Sequence, residues 1–396
     1  MRGQRSERAS SPHHLAGWCA ILAVSAVFWG CSEDAIPPFA PGPGGQAAVY
    51  SSVSAGGTHT CGINDRGNFC WGDGVDGQLG TGLTDDENVP TRVAGGSTLS
   101  VISAGSKHTC AVATGGEVFC WGEGDAGRLG NGATQDWLTP SLVSEALTFT
   151  RVSAGESHTC GIATSGETFC WGDGASGRLG VGNESDRVNP AQVMGGFTFA
   201  EVSPGRAHTC AVTTGGDAYC WGSGADGRLG IGNPLDQFQP TLVSSGLTFS
   251  QVGAGTSHTC GLTEAGDVHC WGSGADGRLG TSNTLDRNEP ALVAGGLEFA
   301  QVSVGDAHTC GVTTDGAAYC WGSGADGRLG TGNELSRLEP ALVPGGREFA
   351  QVSVGDAHTC GVTTDGAAYC WGSGADGRLG TGNGVSSPTP LRVVSG

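Results

Sequence analysis

The chain repeats itself every 50 residues, and this periodicity limits its fold more than any other feature. The dipeptide Cys-Trp recurs seven times at this spacing, from Cys70-Trp71 to Cys370-Trp371, and a proline recurs from Pro90 to Pro390. A fixed period of this length is typical of repeat architectures, in which similar units stack on one another. No insertion between the copies is large enough for a second domain. The copies span 48–97, 98–147, 148–197, 198–247, 248–297, 298–347 and 348–396.

Each copy is predicted to form four β-strands. In the sixth copy, the pattern predicts strands at Phe299–Val304, His308–Thr313 and 317–321, and the start of a fourth at 340–343. The turn at 314–316 contains Asp-Gly, a strong hairpin signal between two β-runs. The 74 glycines argue against a helical bundle, because glycine destabilises helices. Four strands in each of seven copies predict an all-β, seven-bladed β-propeller.

Four short motifs in the sixth copy resemble the repeat of the regulator of chromosome condensation family. They are Gly305-x-x-His308-Thr309-Cys310, Asp315-Gly316, Cys320-Trp321-Gly322 and Gly327-Arg328-Leu329-Gly330-Thr331-Gly332. The resemblance covers residues 48–396. It implies a seven-bladed propeller that serves as an interaction platform, and the family includes secreted members that bind other proteins. The founding member's activity, guanine-nucleotide exchange on a small GTPase, is implied as an alternative function.

Fourteen cysteines fall into seven pairs, six of them ten residues apart. A hairpin centred on residue 315 places Cys310 opposite Cys320, within disulfide range. The first pair is nine residues apart, so its register is expected to differ. Reduced cysteines, or a metal held by His308 and the two cysteines, stay as alternatives, although four zinc ligands are not evident. The predicted disulfides are Cys61–Cys70, Cys110–Cys120, Cys160–Cys170, Cys210–Cys220, Cys260–Cys270, Cys310–Cys320 and Cys360–Cys370.

The first 47 residues are predicted to direct export rather than to fold. Three arginines precede an apolar run that ends at residue 30, which is the layout of a signal peptide over 1–30. The Gly30-Cys31 junction resembles a bacterial lipobox and makes Cys31 the lipidation candidate, although Phe28 and Trp29 depart from that motif. Plain secretion or an uncleaved anchor are the alternatives. Residues 31–47 are rich in proline and glycine and are interpreted as a disordered tether.

The protein is predicted to be a membrane-anchored lipoprotein that faces the periplasm or cell surface, or a secreted protein. Export supplies the oxidising compartment that disulfides require.

The recurring polar residues are interpreted as structural. One histidine per copy, from His59 to His358, is predicted to bond the backbone of its own or the next blade. The loops around Asp276 resemble calcium loops but depart from that pattern, and Asp-Gly turns explain them. No metal or cofactor is therefore predicted. A nearly symmetric ring without a nucleophile or phosphate motif favours a non-catalytic protein, with a carboxylate pair from different blades left open.

The copies differ mainly between their Leu-Gly and proline positions, in segments predicted to be loops. Because loops on a rigid scaffold commonly carry function, these segments supply the partner-binding candidates, with sequence drift in unimportant loops as the alternative.

A net charge of −19 argues against nucleic acid as the partner. The predicted function is an exported, lipid-anchored scaffold for a macromolecular partner, protein rather than glycan, with a glycan-binding or hydrolytic surface propeller as a third possibility. The candidates are Trp137, Phe238, Arg187, Arg287 and Arg337.

Overall fold

The computed structural model of the protein describes residues 47–395. The predicted signal peptide, Cys31 and nearly all of the predicted tether lie outside the described residues. Residues 47–395 form seven four-stranded antiparallel sheets, and in each sheet the strands lie in chain order. This confirms the predicted all-β, seven-bladed propeller. None of the helices within residues 47–395 is long and apolar enough to span a membrane.

Each blade is built from one contiguous repeat. The strands of blades 1 to 4 are β1 Tyr50–Ala55, β2 His59–Asn64, β3 Gly67–Gly72, β4 Glu87–Arg92; β5 Leu99–Ala104, β6 His108–Ala113, β7 Val118–Gly122, β8 Trp137–Leu142; β9 Phe149–Ala154, β10 His158–Ala163, β11 Thr168–Gly172, β12 Arg187–Gln192; β13 Phe199–Pro204, β14 His208–Thr213, β15 Ala218–Gly222 and β16 Gln237–Leu242. Those of blades 5 to 7 are β17 Phe249–Ala254, β18 His258–Thr263, β19 Val268–Gly272, β20 Arg287–Leu292; β21 Phe299–Val304, β22 His308–Thr313, β23 Ala318–Gly322, β24 Arg337–Leu342; β25 Phe349–Val354, β26 His358–Thr363, β27 Ala368–Gly372 and β28 Ser387–Arg392. Short 3₁₀ turns follow the third strand of blades 2 to 7, at Asp125–Gly127, Ala175–Gly177, Ala225–Gly227, Ala275–Gly277, Ala325–Gly327 and Ala375–Gly377.

The first strand of every blade is innermost and the fourth is outermost. First strands of successive blades contact one another around the ring, and β1 contacts both β5 and β25. Because the strands alternate in direction, the β1–β2 and β3–β4 type connections lie at one end of the ring. We call this end the loop face. The β2–β3 type turns and the connections between blades form the opposite end, the hairpin face.

The fourth strands differ from the sequence prediction. In blade 6 the first two strands match it, but β24 begins at Arg337, three residues before the predicted start at Pro340. Proline lacks the N–H needed by an inner strand but is tolerated on an outer edge. Pro340 therefore lies inside an edge strand instead of beginning it. The predicted loop segments are consequently part loop and part strand.

The hydrophobic core lies between neighbouring blades. Trp171 of blade 3 is fully buried, packs against Phe149 with ring centroids 6.0 Å apart, and shares a cluster with Leu129 and Cys120 of blade 2. Blade pairs 4–5 and 6–7 form equivalent clusters around Trp271 and Trp371. Each blade thus buries its apolar surface against the next, so that the ring is stabilised as a whole.

A belt of glycines permits the blades to meet at the axis. A Cβ built on Gly205 would lie well under 3.0 Å from the carbonyl oxygen of Gly255, the equivalent residue of the next blade. The same relation holds from blade to blade, ending with Gly355 against the carbonyl oxygen of Gly56. This close approach explains the glycine of the Gly-x-x-His motif.

Candidate interaction face

All seven predicted cysteine pairs are disulfide-bonded. Their Cα atoms are 4.0–4.1 Å apart and every sulfur-bearing side chain is buried. Cys61 lies directly opposite Cys70, as in the other blades, so the expected change of register is not found at the cysteines. The missing residue is absorbed by the turn, where Asn64 pairs with Gly67.

The seven histidines form a closed belt with threonines of the next blade. His59 Nε2 lies 2.7 Å from Thr109 Oγ1, and the pattern continues blade by blade until His358 reaches Thr60. Thr109 also donates its hydroxyl proton to the carbonyl oxygen of Gln78, at 2.8 Å. Since the hydroxyl has one proton, it must accept the hydrogen bond from His59. The histidines are therefore structural, but their partner is a threonine side chain rather than the predicted backbone.

This hydrogen bond places a proton on Nε2, and burial favours the neutral form of the histidines. Burial lowers the pKa of His59 to about 4 and that of His208 to about 3, because the imidazolium is poorly solvated there. Nδ1 of all seven has no hydrogen-bond partner within residues 47–395. The structure brings together no group of three or more His, Cys, Asp or Glu side chains able to hold a metal ion in this part of the chain.

Buried arginines brace the loop face between blades. Arg228 Nη1 donates to the carbonyl oxygen of Thr256 in the next blade at 2.9 Å, while Nη2 contacts Asp226 at 2.8 Å. Asp226 has a φ of 57°, so it also forms the turn. The same construction recurs at Arg278, Arg328 and Arg378. The aspartates of the calcium-like loops are thus engaged by arginine.

The five partner-binding candidates lie at the start of outer strands, not in the loops where they were predicted. Trp137, Arg187, Arg287 and Arg337 are the first residues of β8, β12, β20 and β24, and Phe238 is the second residue of β16. All five remain near the loop face, because these strands begin there. The correction follows from the early start of the fourth strands.

The three arginine candidates brace their own loops. Arg187 donates to Asn183 Oδ1 at 3.1 Å, and Arg337 donates to the equivalent Asn333 at 3.3 Å. Arg287 does the same at Asn283.

The two aromatic candidates occupy different surroundings. A Cβ on Gly177 would collide with the Phe238 ring, so Phe238 covers the preceding blade. Trp137 takes the place that arginine holds in blades 3, 5 and 6, and its side chain is 36% exposed.

The connection between β3 and β4 of blade 1 departs from the equivalent connections of the other six blades, a difference that the sequence analysis missed. Gln78 stands where the other blades carry the bracing arginine. At this junction Lys107 of blade 2 lies 3.2 Å from Asp76 and 3.8 Å from Glu123. The sequence signal was present as a single substitution in a sevenfold pattern.

A second missed feature lies on the innermost strands. Gln301 Oε1 accepts the N–H of Val352 at 2.8 Å, and its Nε2 donates to the carbonyl oxygen of the same residue at 2.9 Å. Gln351 clamps Val53 in the same way. The equivalent position in blade 4 is Glu201, which accepts the N–H of Val252 at 3.4 Å. Burial raises the pKa of Glu201 to about 7.

A family model described as the RCC1-like domain matches residues 145–395, more than half of the chain. The chain belongs to the RCC1-like domain family. Two models of the regulator of chromosome condensation (RCC1) repeat match residues 69–112 with 115–162, and residues 100–128. The resemblance inferred from the sequence motifs is thereby confirmed.

Solved structures show the same RCC1-like fold. Human WBSCR16 is 22% identical with a TM-score of 0.76, and the likeness covers 83% of this chain and 93% of that one. Prp20p from Saccharomyces cerevisiae is 20% identical with a TM-score of 0.74, covering 88% of each chain. The CRINKLY WD40 ectodomain of the Arabidopsis thaliana receptor kinase ACR4 is 20% identical with a TM-score of 0.53, covering 82% and 98%. These likenesses concern the fold.

Proposed function

We propose that this RCC1-like propeller is exported and binds a protein partner through its loop face. The supporting observation is the division of roles on that face. Buried groups such as His308 and Arg328 recur from blade to blade and hold the ring together. The exposed segments between them change from blade to blade. A rigid scaffold with variable exposed loops is the usual arrangement of a binding protein.

Seven disulfides support export, because they are typical of an oxidising, extracellular setting. The proposal includes cleavage after residue 30, lipidation of Cys31 and a tether over 31–47. Fractionation and palmitate labelling of the wild type and of Cys31→Ala test the anchor. We expect labelled, membrane-associated wild type and an unlabelled soluble variant. Soluble, unlabelled protein in both samples would exclude a lipid anchor while leaving secretion in place.

The binding role is tested by photo-crosslinking in the producing cell. A photoreactive amino acid is placed at Thr284 or Glu334, which are exposed in the variable segments of the loop face, and at Ser165 or Glu264 on the hairpin face as matched controls. We expect one discrete protein adduct from the loop-face positions only. Equal adducts from both faces, or none from the loop face, would contradict the proposal. Trp137→Ala in the same assay decides whether that residue belongs to the site, since unchanged adduct yield would remove it.

Nucleotide exchange on a small GTPase is the second candidate. The likeness to Prp20p favours it, because that protein is described as binding Gsp1p and histones. The buried disulfides argue against a cytosolic partner. Release of fluorescent GDP from a purified small GTPase, measured with the oxidised and the reduced protein, distinguishes nucleotide exchange from binding of an extracellular partner. Exchange by the reduced form alone would favour this second function.

A further inference from the structure

The connection between β3 and β4 of blade 1 differs from its six counterparts in side chains as well as in its missing arginine. Val75 stands where the other repeats carry alanine or aspartate. Leu83 stands where they carry asparagine or alanine. Both side chains are strongly exposed, at 64% for Val75 and 57% for Leu83. Blade 1 therefore presents apolar groups at two loop-face positions where its neighbours present small or polar ones.

The two segments that carry these residues both contact Leu138, the second residue of β8 in blade 2. The Gly82 N–H donates to the carbonyl oxygen of Leu138 at 2.9 Å, which places Leu83 beside that strand. A Cβ on Gly77 would contact the Leu138 side chain, which brings the turn that carries Val75 to the same residue. Leu138 itself is 37% exposed. We call Val75, Leu83 and Leu138 the blade 1 surface.

Acidic side chains predominate around this surface, although Lys107 of blade 2 lies at the same junction. Residues 73–88 contain five acidic residues and no lysine or arginine, whereas the equivalent stretch of every other blade contains at least one arginine. Asp76 is paired with Lys107, and Asp86 Oδ1 accepts the N–H of Gly74 at 3.0 Å. Asp85 is exposed and Glu87 is half-buried at the start of β4. Residues 1–46 hold equal numbers of arginines and acids, so the net charge of −19 belongs to the propeller.

We propose that the blade 1 surface docks a basic, amphipathic segment of the partner protein. Apolar side chains of that segment would cover Val75, Leu83 and Leu138, while its lysines or arginines would face Asp85 and Glu87. Charge complementarity of this kind selects the partner and speeds its association. The inference rests on the proposed protein-binding function and assigns it a place and a partner chemistry.

The test uses two fluorescent helical peptides. One carries four lysines with leucines at positions i, i+3, i+4 and i+7, and the other has serines in place of the leucines. Val75→Ala with Leu83→Asn restores residues that other repeats already carry, so the fold is expected to persist, which thermal unfolding verifies. Leu285→Asn with Leu335→Asn removes two equally exposed leucines from blades 5 and 6 and is the matched control.

We expect the leucine peptide to bind the blade 1 variant about tenfold more weakly than the wild type, since apolar contact area is lost. The control variant should bind like the wild type. Asp85→Asn with Glu87→Gln should reduce the dependence of binding on salt. Equal binding to wild type and blade 1 variant, or an equal loss in the control, would overturn the inference. If loop-face crosslinks to the native partner persist unchanged in the blade 1 variant, the binding function stands and only this location and chemistry fail.

Discussion

His358 in the last blade lies 2.7 Å from Thr60 in the first, and this hydrogen bond joins the two ends of the propeller. Thr60 also donates to the carbonyl oxygen of Arg378 at 2.9 Å. The closing junction therefore uses the same bonds as the six internal ones, and no strand needs to be exchanged between the terminal blades. Six of the seven junctions join blades that are consecutive in the chain. The seventh junction joins the last blade to the first, so the contacting residues, such as His358 and Thr60, are 298 positions apart in the chain.

Replacing Thr60 with valine should destabilise the ring. The substitution keeps the shape but leaves His358 Nε2–H and the carbonyl oxygen of Arg378 without a partner in a buried site. Two unsatisfied buried groups cost about 2–4 kcal/mol together. Chemical denaturation of the two proteins measures the difference. Thr58→Val is the control, because Thr58 Oγ1 is buried without a hydrogen-bond partner in the described part of the chain, and its loss should be neutral. A similar loss of stability in both variants would show that the effect does not come from the hydrogen bond between His358 and Thr60.

Acid should unfold the propeller through its histidines. In the unfolded chain a histidine takes up a proton near pH 6.5. The folded pKa is lower, about 4 at His59 and about 3 at His208. The unfolded state therefore binds more protons below pH 6.5, and stability falls as the pH falls, by about 1.4 kcal/mol per pH unit for each histidine. Denaturation midpoints between pH 7 and pH 4 check this, and a flat profile would contradict it. His59→Gln should make the slope shallower.

Oxidation state should control stability as well. Each bridge closes a loop of about ten residues and is expected to contribute about 2–3 kcal/mol. Intact mass spectrometry without reductant should give a chain about 14 Da lighter than after reduction, because seven bridges remove two hydrogens each. Cys260→Ala with Cys270→Ala should lower the denaturation midpoint of the oxidised protein only. A lowered midpoint under reducing conditions too would point to lost packing at the Trp321 cluster instead.

The features that sequence could predict are those decided within one hairpin. The turn after Thr313 sets Cys310 opposite Cys320, so the disulfide and its register follow from local spacing. Cross-blade partners are different, because His59 and Thr109 are 50 residues apart and nothing in either hairpin identifies the other. The start of β24 at Arg337 was missed for a related reason: only the position of a strand at the sheet edge explains why Pro340 is tolerated.

The candidate site was predictable only in part. Trp137 was a candidate because tryptophan is enriched at binding sites and is unexpected in an exposed segment, and it is 36% exposed near the loop face. The importance of Leu83 depends on its neighbour Leu138 in the next blade, which the ring geometry alone supplies. Internal comparison of the seven repeats would have marked Gln78 as a departure, whereas the position of Glu201 already varies among the repeats. Their physical meaning required knowing which group each side chain faces.

Glu201 should give the junction between blades 4 and 5 a pH dependence opposite to that of the histidines. An ionised carboxylate can accept the N–H of Val252 but cannot donate to its carbonyl oxygen, as Gln301 does to Val352. A protonated carboxyl group can do both. Burial, the largest effect, raises the pKa of Glu201 to about 7, while hydrogen bonds with the Val252 N–H and with Gln251 and the charge of Arg151 on β9 act in the opposite direction.

The sign follows from this raised pKa. The folded protein holds the proton up to about pH 7, while the unfolded chain releases it near pH 4.5. Stability from this group is therefore complete below pH 4.5 and is lost as the pH rises through 7. Glu201→Gln should be more stable than the wild type by about 1–3 kcal/mol at pH 8, after allowance for the partial exposure of this residue, with little difference at pH 5. The wild type and Glu201→Gln share the histidine contribution, so it cancels in the difference between their free energies of unfolding at each pH. Gln301→Glu should introduce the same dependence at the junction of blades 6 and 7, and parallel pH profiles for all three proteins would rule out this role for the carboxyl group.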